Sequence, residues 1–230
     1  MSALNNLYYT VNVNGECLTL EEQEAIHCSL VLRKKVGEII RVIDGHGNLY
    51  KCGIDKMNKR SVQCTILDSE FYEKSENITI AIAPTKNRDR LEWMIEKLVE
   101  IGSDKIVLMN TSNTERTRTN IDRLEKKIIS AVKQSLHFYV PKVLEMDFMD
   151  VIKLDFQSKF IAHCYDDFSK DHGSSNSSSN QLILIGPEGD FSRDEVQEAF
   201  NHDFKGLDLG NYRLRTETAA IVALSRFQQI

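Results

Sequence analysis

Residues 183–192 read ILIGPEGDFS, and they join a buried strand to a tight turn and then to a helix. The apolar run before the turn is typical of a strand that is covered on both faces. Ser192 and Glu195 form the S-x-x-E pattern of a capping box, so they mark the start of a helix. Gly186 and Gly189 would let the main chain approach a ligand closely, although an ordinary strand-to-helix connection can also contain two glycines.

Strands of the same kind alternate with helices from residue 78 onward. Near-continuous apolar strands separated by amphipathic helices predict an α/β fold, in which helices cover both faces of a parallel sheet. The strands are predicted at Ile78–Ala83, Lys105–Met109, Val143–Met146, Lys159–His163 and Gln181–Ile185, and the helices at Arg90–Ile101 and Asn120–Ser135.

The first seventy residues have a different pattern, in which short strands are separated by turns. Strands are predicted at Val36–Ile43, Leu49–Ile54 and Ser61–Leu67, with a helix at Leu20–Val31 before them. The sequence DGHGN at residues 44–48 tolerates the positive φ angles of a hairpin loop. These features predict a small β-barrel. The polar segment Tyr72–Asn77 separates the two patterns, which gives one domain over residues 1–72 and a second over residues 73–230.

The composition of the 230 residues is that of a globular protein, and we expect its five cysteines to be reduced thiols because their number is odd. The net charge is −5, yet residues 86–133 carry 11 basic against 8 acidic side chains, which indicates either a local anionic partner or solvated helix faces. No stretch reaches the roughly 18 apolar residues of a membrane span, and residues 1–13 lack an export signal, so we expect a cytoplasmic location. Five cysteines without C-x-x-C spacing, and histidines without ligand spacing, predict no metal site.

A second glycine turn lies near the C-terminus. Gly206–Leu209 leads into Gly210, and Thr216 or Thr218 can cap a helix that runs toward the end of the chain. Ligands bind at the carboxyl ends of the strands in open α/β sheets, so the two turns predict one shared site. Neither the G-x-G-x-x-G pattern nor the G-x-x-x-x-G-K-[ST] pattern occurs, which argues against a dinucleotide site and a phosphate-binding P-loop.

The two turns carry motifs that are similar to those of a known family. They are Gly186-Pro187-Glu188-Gly189-x-Phe191-Ser192 and Leu209-Gly210-(x)4-Arg215-Thr216-Glu217-Thr218-Ala219. Their order and position resemble the RsmE family of 16S ribosomal RNA uridine-N3 methyltransferases, within the SPOUT class. Further matching segments are Val31-Leu32-Arg33, Glu100-Ile101-Gly102, Glu115-Arg116, and Gln134-Ser135 followed by Pro141.

The resemblance implies a homodimeric enzyme with two domains. A PUA-like barrel would bind RNA, and a SPOUT domain tied in a trefoil knot would use S-adenosylmethionine to methylate N3 of a uridine in 16S ribosomal RNA or the small ribosomal subunit. By motif match the cofactor-binding residues are Gly186, Glu188, Gly189, Leu209, Gly210, Leu214, Arg215, Thr218 and Ala219. His163, Leu184 and Ile185, which lie at the ends of predicted strands, are added to this set.

Methylation of uridine N3 requires an in-line approach to the donor and the loss of the N3 proton. Arg215 is the candidate for stabilising the negative charge that develops on O2 or O4 of the base. Glu217 is the second catalytic candidate. The sequence does not identify a dedicated general base, and Glu217, His137 or water could accept the proton. Arg215 could instead form a salt bridge at the helix start or lie in the dimer interface.

Basic and aromatic side chains are the candidates for contacting RNA, although a solvated surface is the alternative for any one lysine. The predicted RNA-binding residues are Arg33, Lys34, Lys86, Arg116, Gln134 and His137, with Lys35, Arg88, Arg90 and Arg118 as further cations. Tyr8, Tyr9, Phe138 and Tyr139 could stack on bases, whereas Trp93 is predicted to belong to the core.

Three positions depart from the family pattern. Asp190 stands where a third glycine is usual, Arg213 where an aliphatic residue is common, and His137 where an arginine is normal. Histidine is mostly neutral at pH 7, so His137 is a weaker phosphate ligand than an arginine. Two other functions stay open, namely a knotted methyltransferase for another RNA base or a ribose, and a non-catalytic RNA-binding module.

Overall fold

The computed structural model describes residues 6–74, 77–115, 119–171 and 180–228. Its contacts divide the chain into two compact units. The first unit comprises Met1–Lys74 and Ile129–Val140, and the second comprises Ser75–Ile128 and Pro141–Ile230. The sequence-based division at residues 72 and 73 assigns residues 129–140 to the second domain, whereas these contacts count them with the first unit.

Among its described residues, the first unit forms a mainly antiparallel sheet of six strands. The strands are β1 (Leu7–Tyr9), β2 (Val13–Asn14), β3 (Cys17–Glu21), β4 (Ile39–Ile43), β5 (Asn48–Met57) and β6 (Ser61–Phe71). Their order is β1-β4-β5-β6-β3-β2, with β1 parallel to β4. Helix α1 (Glu22–Ile26) continues into a π-helical turn at His27–Val31, where the sequence predicts one helix.

The hairpin that the DGHGN segment predicts is formed by β4 and β5. Ile43 pairs with Leu49 next to the loop. Within the loop, Asp44 Oδ1 accepts hydrogen bonds from the backbone N–H groups of His46 at 2.8 Å and Asn48 at 3.3 Å. These side-chain bonds replace main-chain partners that the loop lacks, which is why aspartate is favoured at such a turn.

The core of the first unit includes Tyr8, which is fully buried. The prediction that Tyr8 stacks on RNA bases is therefore wrong. Tyr8 packs with Leu18 and Leu20 of β3 and with Ala25 of α1. A three-residue strand is too short for its alternation to show which face is buried, so the sequence alone does not orient this side chain.

Residues 129–140 join the first unit through contacts with the end of β6. The Phe138 ring stacks on the Tyr72 ring with centroids 4.0 Å apart, and the Tyr139 hydroxyl donates to the carbonyl oxygen of Tyr72 at 2.8 Å. Phe138 and Tyr139, which the sequence predicts as base-stacking residues, are thus engaged within the unit. Such contacts join residues more than sixty positions apart, and no local pattern predicts them.

In the described part of the second unit, seven parallel strands form one sheet. The strands are β7 (Asn77–Ile82), β8 (Lys105–Asn110), β9 (Lys142–Asp147), β10 (Ser158–Ala162), β11 (Lys170–Asp171), β12 (Asn180–Ile185) and β13 (Lys205–Leu207), in the order β11-β13-β10-β12-β7-β8-β9. The helices are α2 (Arg88–Ile101), α3 (Ile121–Ser135, counted with the first unit from Ile129), α4 (Phe148–Val151), α5 (Arg193–Asn201) and α6 (Thr216–Phe227). The predicted α/β fold with a parallel sheet is confirmed.

Helix α2 covers the sheet with the apolar face that its spacing predicts. Leu91, Met94, Ile95 and Leu98 are fully buried. Trp93, however, is 47% exposed, so its assignment to the core is wrong. Successive helical residues are rotated by about 100°, which turns Trp93 away from the face that Leu91 and Met94 share. No helix in the described ranges is long and apolar enough to cross a lipid bilayer.

The helix starts at the carboxyl edge of the sheet differ in their capping. Ser192 Oγ accepts from the Glu195 N–H at 3.2 Å, and Glu195 Oε2 accepts from the Ser192 N–H at 2.8 Å, so the predicted capping box is confirmed. The predicted threonine cap of α6 is wrong, because Arg215 is the N-cap residue and Thr216 is the first helical residue.

Gly206 of β13 lies where neighbouring main chain leaves no room for a side chain. A Cβ atom there would overlap the carbonyl oxygen of Ser169 and lie 3.1 Å from His163 Nε2. We expect Gly206→Ala to lower the free energy of unfolding by about 2–3 kcal/mol, because the backbone has to shift. Gly189→Ala is the control, since its Cβ would be 3.7 Å from Asn113. Denaturant titrations of equal midpoint for both variants would contradict this account.

Candidate active site

The turn after β12 and the turn after β13 meet at the carboxyl edge of the parallel sheet. Gly186 follows β12 directly, and Thr216 begins α6 at the end of the second turn. Thr216 Oγ1 donates to the carbonyl oxygen of Gly186 at 3.1 Å, and Arg213 Nη2 donates to that of Glu188 at 3.3 Å. The structure therefore brings both glycine turns together at the edge where open α/β sheets bind ligands.

Among the described residues, two adjoining cavities lie at this junction. The first has a volume of about 320 Å³ and lies between the two turns. The second has a volume of about 400 Å³ and lies between the second turn and the segment that follows β10. Cys164, Arg213, Leu214 and Ala219 line both cavities, and we call the two adjoining cavities together the recess. Its size is in the range of sites for small organic molecules.

Most of the predicted cofactor residues line this recess. Ile185, Gly186, Glu188, Leu214, Arg215 and Ala219 line the first cavity, and His163, Leu209, Gly210, Leu214 and Ala219 line the second. Leu184, Gly189 and Thr218 line neither cavity, although each is next in the chain to a residue that does. Leu184 is fully buried in the sheet.

The segment after β10 contributes more to the recess than the sequence predicts. Cys164 lines both cavities, and Asp166 and Lys170 line the second. A signal for them was present in the sequence, because the predicted strand Lys159–His163 ends at the same edge of a parallel sheet as the two glycine turns. Glycines mark the two turns in the sequence, whereas residues 164–171 contain no glycine.

Glu217, the candidate proton acceptor, is held in a bidentate ion pair. Arg90 Nε and Nη2 donate to its two carboxylate oxygens at 2.9 and 2.6 Å, and the Glu217 side chain is 9% exposed. Burial opposes ionisation, but the hydrogen bonds from Arg90 and the nearby positive charge outweigh it and lower the pKa of Glu217. This geometry favours a positioning role over that of a base. Arg90, which the sequence predicts as a cation for RNA, is thus paired with a carboxylate of the protein itself.

Arg215, the candidate for stabilising negative charge, is exposed and lines the first cavity. Its side chain forms no hydrogen bond or ion pair with any residue that the structure describes. A salt bridge at the helix start was the alternative role for Arg215. In the structure, Arg90 forms that salt bridge with Glu217. Arg215 stands at the N-cap of α6, where the helix dipole disfavours a cation, so an anionic group brought by a ligand would be stabilised there.

His163 lies at the end of β10 and borders the second cavity. Its ring is buried near the aromatic rings of Tyr165, Phe168 and Phe200. Burial, together with the positive charge of Lys170, lowers the pKa of His163, so the ring is neutral at pH 7. Within the described chain, both ring nitrogens are buried and neither has a hydrogen-bond partner of full geometry, although a contact with the Tyr165 backbone acts on the ring. No group of three or more His, Cys, Asp or Glu side chains in the described ranges is arranged to hold a metal ion.

The predicted RNA-binding residues fall in both units. Arg33 and Gln134 of the first unit are exposed, and His137 is half-buried. Lys34 pairs with Glu38 at 2.8 Å, and Lys86 of the second unit pairs with Glu115 at 2.8 Å. Arg116 and Arg118 lie outside the described residues. The lysines are thus surface cations with acidic neighbours, and such exposed pairs are weak enough to exchange for a phosphate.

Residues 72–228 match the family model described as an RNA methyltransferase domain, and residues 20–67 match the model described as an RNA methyltransferase PUA domain. A protein of Rickettsia conorii named Ribosomal RNA small subunit methyltransferase E is 29% identical over 221 residues, which cover 93% of this chain and 89% of that protein. The chain belongs to the RsmE family of RNA methyltransferases. The resemblance inferred from the two turn motifs is confirmed.

Solved structures of related proteins have the same fold over nearly the whole chain. A probable rRNA-methyltransferase from Porphyromonas gingivalis is 36% identical with a TM-score of 0.86, and the match covers 97% of this chain and 98% of that chain. A Ribosomal RNA small subunit methyltransferase E from Neisseria gonorrhoeae, solved bound to S-adenosyl methionine, is 26% identical with a TM-score of 0.83, and covers 97% and 96%.

Glu217→Gln tests the ion pair with Arg90 through its pH dependence. A folded-state pKa below the unfolded value of about 4.3 stabilises the protein above that pH, and the contribution disappears as the pH falls through the folded pKa. We therefore expect the wild type to unfold at a higher temperature than the variant at pH 7, and the difference to shrink below about pH 4.

Thermal denaturation followed by circular dichroism from pH 7 to pH 3 measures this difference. The control is Glu125→Gln, because Glu125 is an exposed residue of α3. The control should differ from the wild type by a small amount that hardly changes with pH. If the Glu217→Gln difference were equally large at pH 7 and pH 3, the carboxylate would not be the stabilising form.

Proposed function

We propose that this protein transfers the methyl group of S-adenosylmethionine to N3 of a uridine in 16S ribosomal RNA. The observation that carries the proposal is the recess between the two joined turns, with the exposed Arg215 at its border. The names of the RsmE relatives and the S-adenosyl methionine in the Neisseria gonorrhoeae structure support it. The protein would act in the cytoplasm on the small ribosomal subunit or its RNA.

The recess fits a nucleoside cofactor in its chemistry. Small residues at Gly186, Gly210 and Ala219 leave room for an adenosyl group, and His163 borders the same lining. S-adenosylmethionine supplies an electrophilic methyl group on a sulfonium centre. Leu209 and Leu214 add apolar surface to the same lining. We assign the remaining predicted cofactor residues, which are Leu184, Ile185, Glu188, Gly189 and Thr218, to the walls of this site and the chain next to them.

Arg215 has the chemistry that the uridine requires. N3 of uridine is protonated at neutral pH, and its loss of a proton places negative charge on O2 and O4 of the base. A guanidinium is always cationic and donates in a planar fork, so it stabilises this charge from a fixed position. Since no carboxylate in the described ranges pairs with Arg215, its donors are available for the base.

Glu217 acts on the reaction through position. Glu217 lies two residues after Arg215, on the first turn of α6. Its hydrogen bonds with Arg90 connect that turn to α2. A water molecule is then the acceptor of the N3 proton, since a lowered pKa makes the Glu217 carboxylate a weak base. Arg215 is the catalytic residue of this scheme, and Glu217 is a positioning residue.

The finer architecture is also part of the proposal. We assign residues 1–72 to a PUA-like barrel and residues 73–230 to a SPOUT domain that forms a homodimer. A trefoil knot is consistent with the strand order, because β13 pairs with β10 while the following α6 contacts α2, β7 and β12. The RNA would be bound through phosphate contacts. The residues assigned to these contacts are Arg33, Lys34, Lys86, Arg116, Gln134 and His137.

A methylation assay with defined product analysis tests the function. Purified protein, S-adenosylmethionine and small ribosomal subunits that lack base methylation are incubated, and the nucleosides of the digested RNA are identified by mass spectrometry. We expect 3-methyluridine at one position per 16S molecule. Methylation of another base or of a ribose would replace the substrate assignment. A protein that neither binds the cofactor in calorimetry nor methylates RNA would be a binding module instead.

Arg215→Ala separates turnover from cofactor binding. We expect the rate of methyl transfer to fall by about 100-fold, because the developing charge loses its cation, while the cofactor Kd changes by less than about threefold. Arg215→Lys keeps the charge but not the fork, and should recover part of the rate. Arg60→Ala, an exposed charge removal in the first unit, is the control. A loss of cofactor affinity with an unchanged rate at saturation would assign Arg215 to binding alone.

A further inference from the structure

Asp190 has a backbone conformation that few residues with a side chain adopt. Its φ angle is 66°, in the left-handed region that favours glycine, asparagine and aspartate. The turn is closed by a hydrogen bond from the Asp190 N–H to the carbonyl oxygen of Pro187 at 2.9 Å. Asp190 Oδ1 accepts from the following N–H of Phe191 at 2.8 Å. The side chain thus compensates within its own turn for the unfavourable backbone.

The other oxygen of the Asp190 carboxylate reaches a different segment. Asp190 Oδ2 accepts a hydrogen bond from the backbone N–H of Cys164 at 2.8 Å. Cys164 comes two residues after the end of β10, and it lines both cavities of the recess. A hydrogen bond to an ionised acceptor is stronger than one between neutral groups, so this bond holds the two segments firmly.

A third segment contacts the same residue. Asn113 Nδ2 donates to the carbonyl oxygen of Asp190 at 3.0 Å, and Asn113 follows β8. Asp190 therefore connects the chain after β8, the chain after β10 and the turn after β12, which all lie at the carboxyl edge of the sheet. Without the carboxylate, the hydrogen bond from the Cys164 N–H would be lost, and the bond from the Tyr165 hydroxyl to the carbonyl oxygen of Phe191, at 2.8 Å, would remain between the Cys164 segment and the first turn.

We propose that Asp190 is a positioning residue that holds the Cys164 segment against the first glycine turn and so preorganises the recess for its cofactor. The proposal rests on the function proposed above, because it takes the recess to be the S-adenosylmethionine site. Preorganisation raises affinity by removing the cost of ordering loops when the ligand binds. His163, which precedes Cys164, is placed by the same bond.

The position of the carboxylate also affects the Cys164 thiol. Burial, followed by the negative charge of Asp190 and a hydrogen bond to it, raises the pKa of Cys164. The thiolate is the reactive form of cysteine, so a raised pKa slows its reaction with disulfide reagents. The reaction rate of Cys164 therefore reports on the contact directly, without cofactor or RNA.

Two substitutions of Asp190 test the proposal, with a matched control elsewhere in the same unit. Asp190→Gly removes both acceptor oxygens, and glycine adopts a positive φ without strain. Asp190→Asn keeps one acceptor oxygen. Asp203 also has a positive φ, 67°, is exposed and lines neither cavity. Asp203→Gly therefore makes the same substitution at a positive φ, but at a position that does not line the recess.

The affinity for S-adenosylmethionine is measured by calorimetry on the full chain. We expect Asp190→Gly to raise Kd by about 10-fold, Asp190→Asn to lie between it and the wild type, and Asp203→Gly to stay within about twofold. Melting temperatures of both glycine variants should remain close to that of the wild type. Equal Kd values for Asp190→Gly and the wild type would overturn the proposal.

Thiol labelling gives the second readout, in a Cys17→Ser background because Cys17 is the other exposed cysteine of the described chain. We expect Asp190→Gly to accelerate the reaction of Cys164 with a chromogenic disulfide by about fivefold, with no change in Asp203→Gly. If the wild type failed to bind S-adenosylmethionine but showed this acceleration, the proposed function would fail and the Asp190 contact would stand. Equal labelling rates in all three proteins would refute the contact.

Discussion

The hydrogen bond from Thr216 Oγ1 to the carbonyl oxygen of Gly186 joins the two chain segments on which the site depends. All strands of a parallel sheet end at the same edge, so the turns that follow β12 and β13 are confined to one region. Joining them there encloses the recess and places the first turn of α6 beside it. The residues that line the recess, the exposed Arg215 and the buried Glu217 all take their positions from this junction.

Charge distribution around α6 assigns different roles to two arginines. A buried carboxylate has to be paired, and Arg90 meets this need of Glu217 with two hydrogen bonds. Arg215 lies only two residues before Glu217, but it has no carboxylate partner in the described chain. In the proposed reaction, the guanidinium of Arg215 is the one that faces the substrate.

Asp190 and Arg213, two of the departures from the family pattern, have physical explanations in the structure. Asp190 occupies a left-handed position that glycine would also satisfy, and it adds bonds to Phe191 and Cys164. Arg213 donates to the carbonyl oxygen of Glu188 and so adds a second link between the turns. Both side chains thus add hydrogen bonds between segments that line the recess.

Local pattern in the sequence determined the α/β class, the hairpin at residues 44–48, the capping box at Ser192 and the family, because periodicity, turn residues and motif spacing are properties of neighbouring positions. Tertiary structure alone decided that Trp93 is exposed, that Tyr8 is buried and that Arg90 pairs with Glu217. It also decided which residues after the predicted strand Lys159–His163, namely Cys164, Asp166 and Lys170, line the recess. These features depend on contacts between residues distant in the chain, and the energy of such a contact exists only after the fold has brought its partners together.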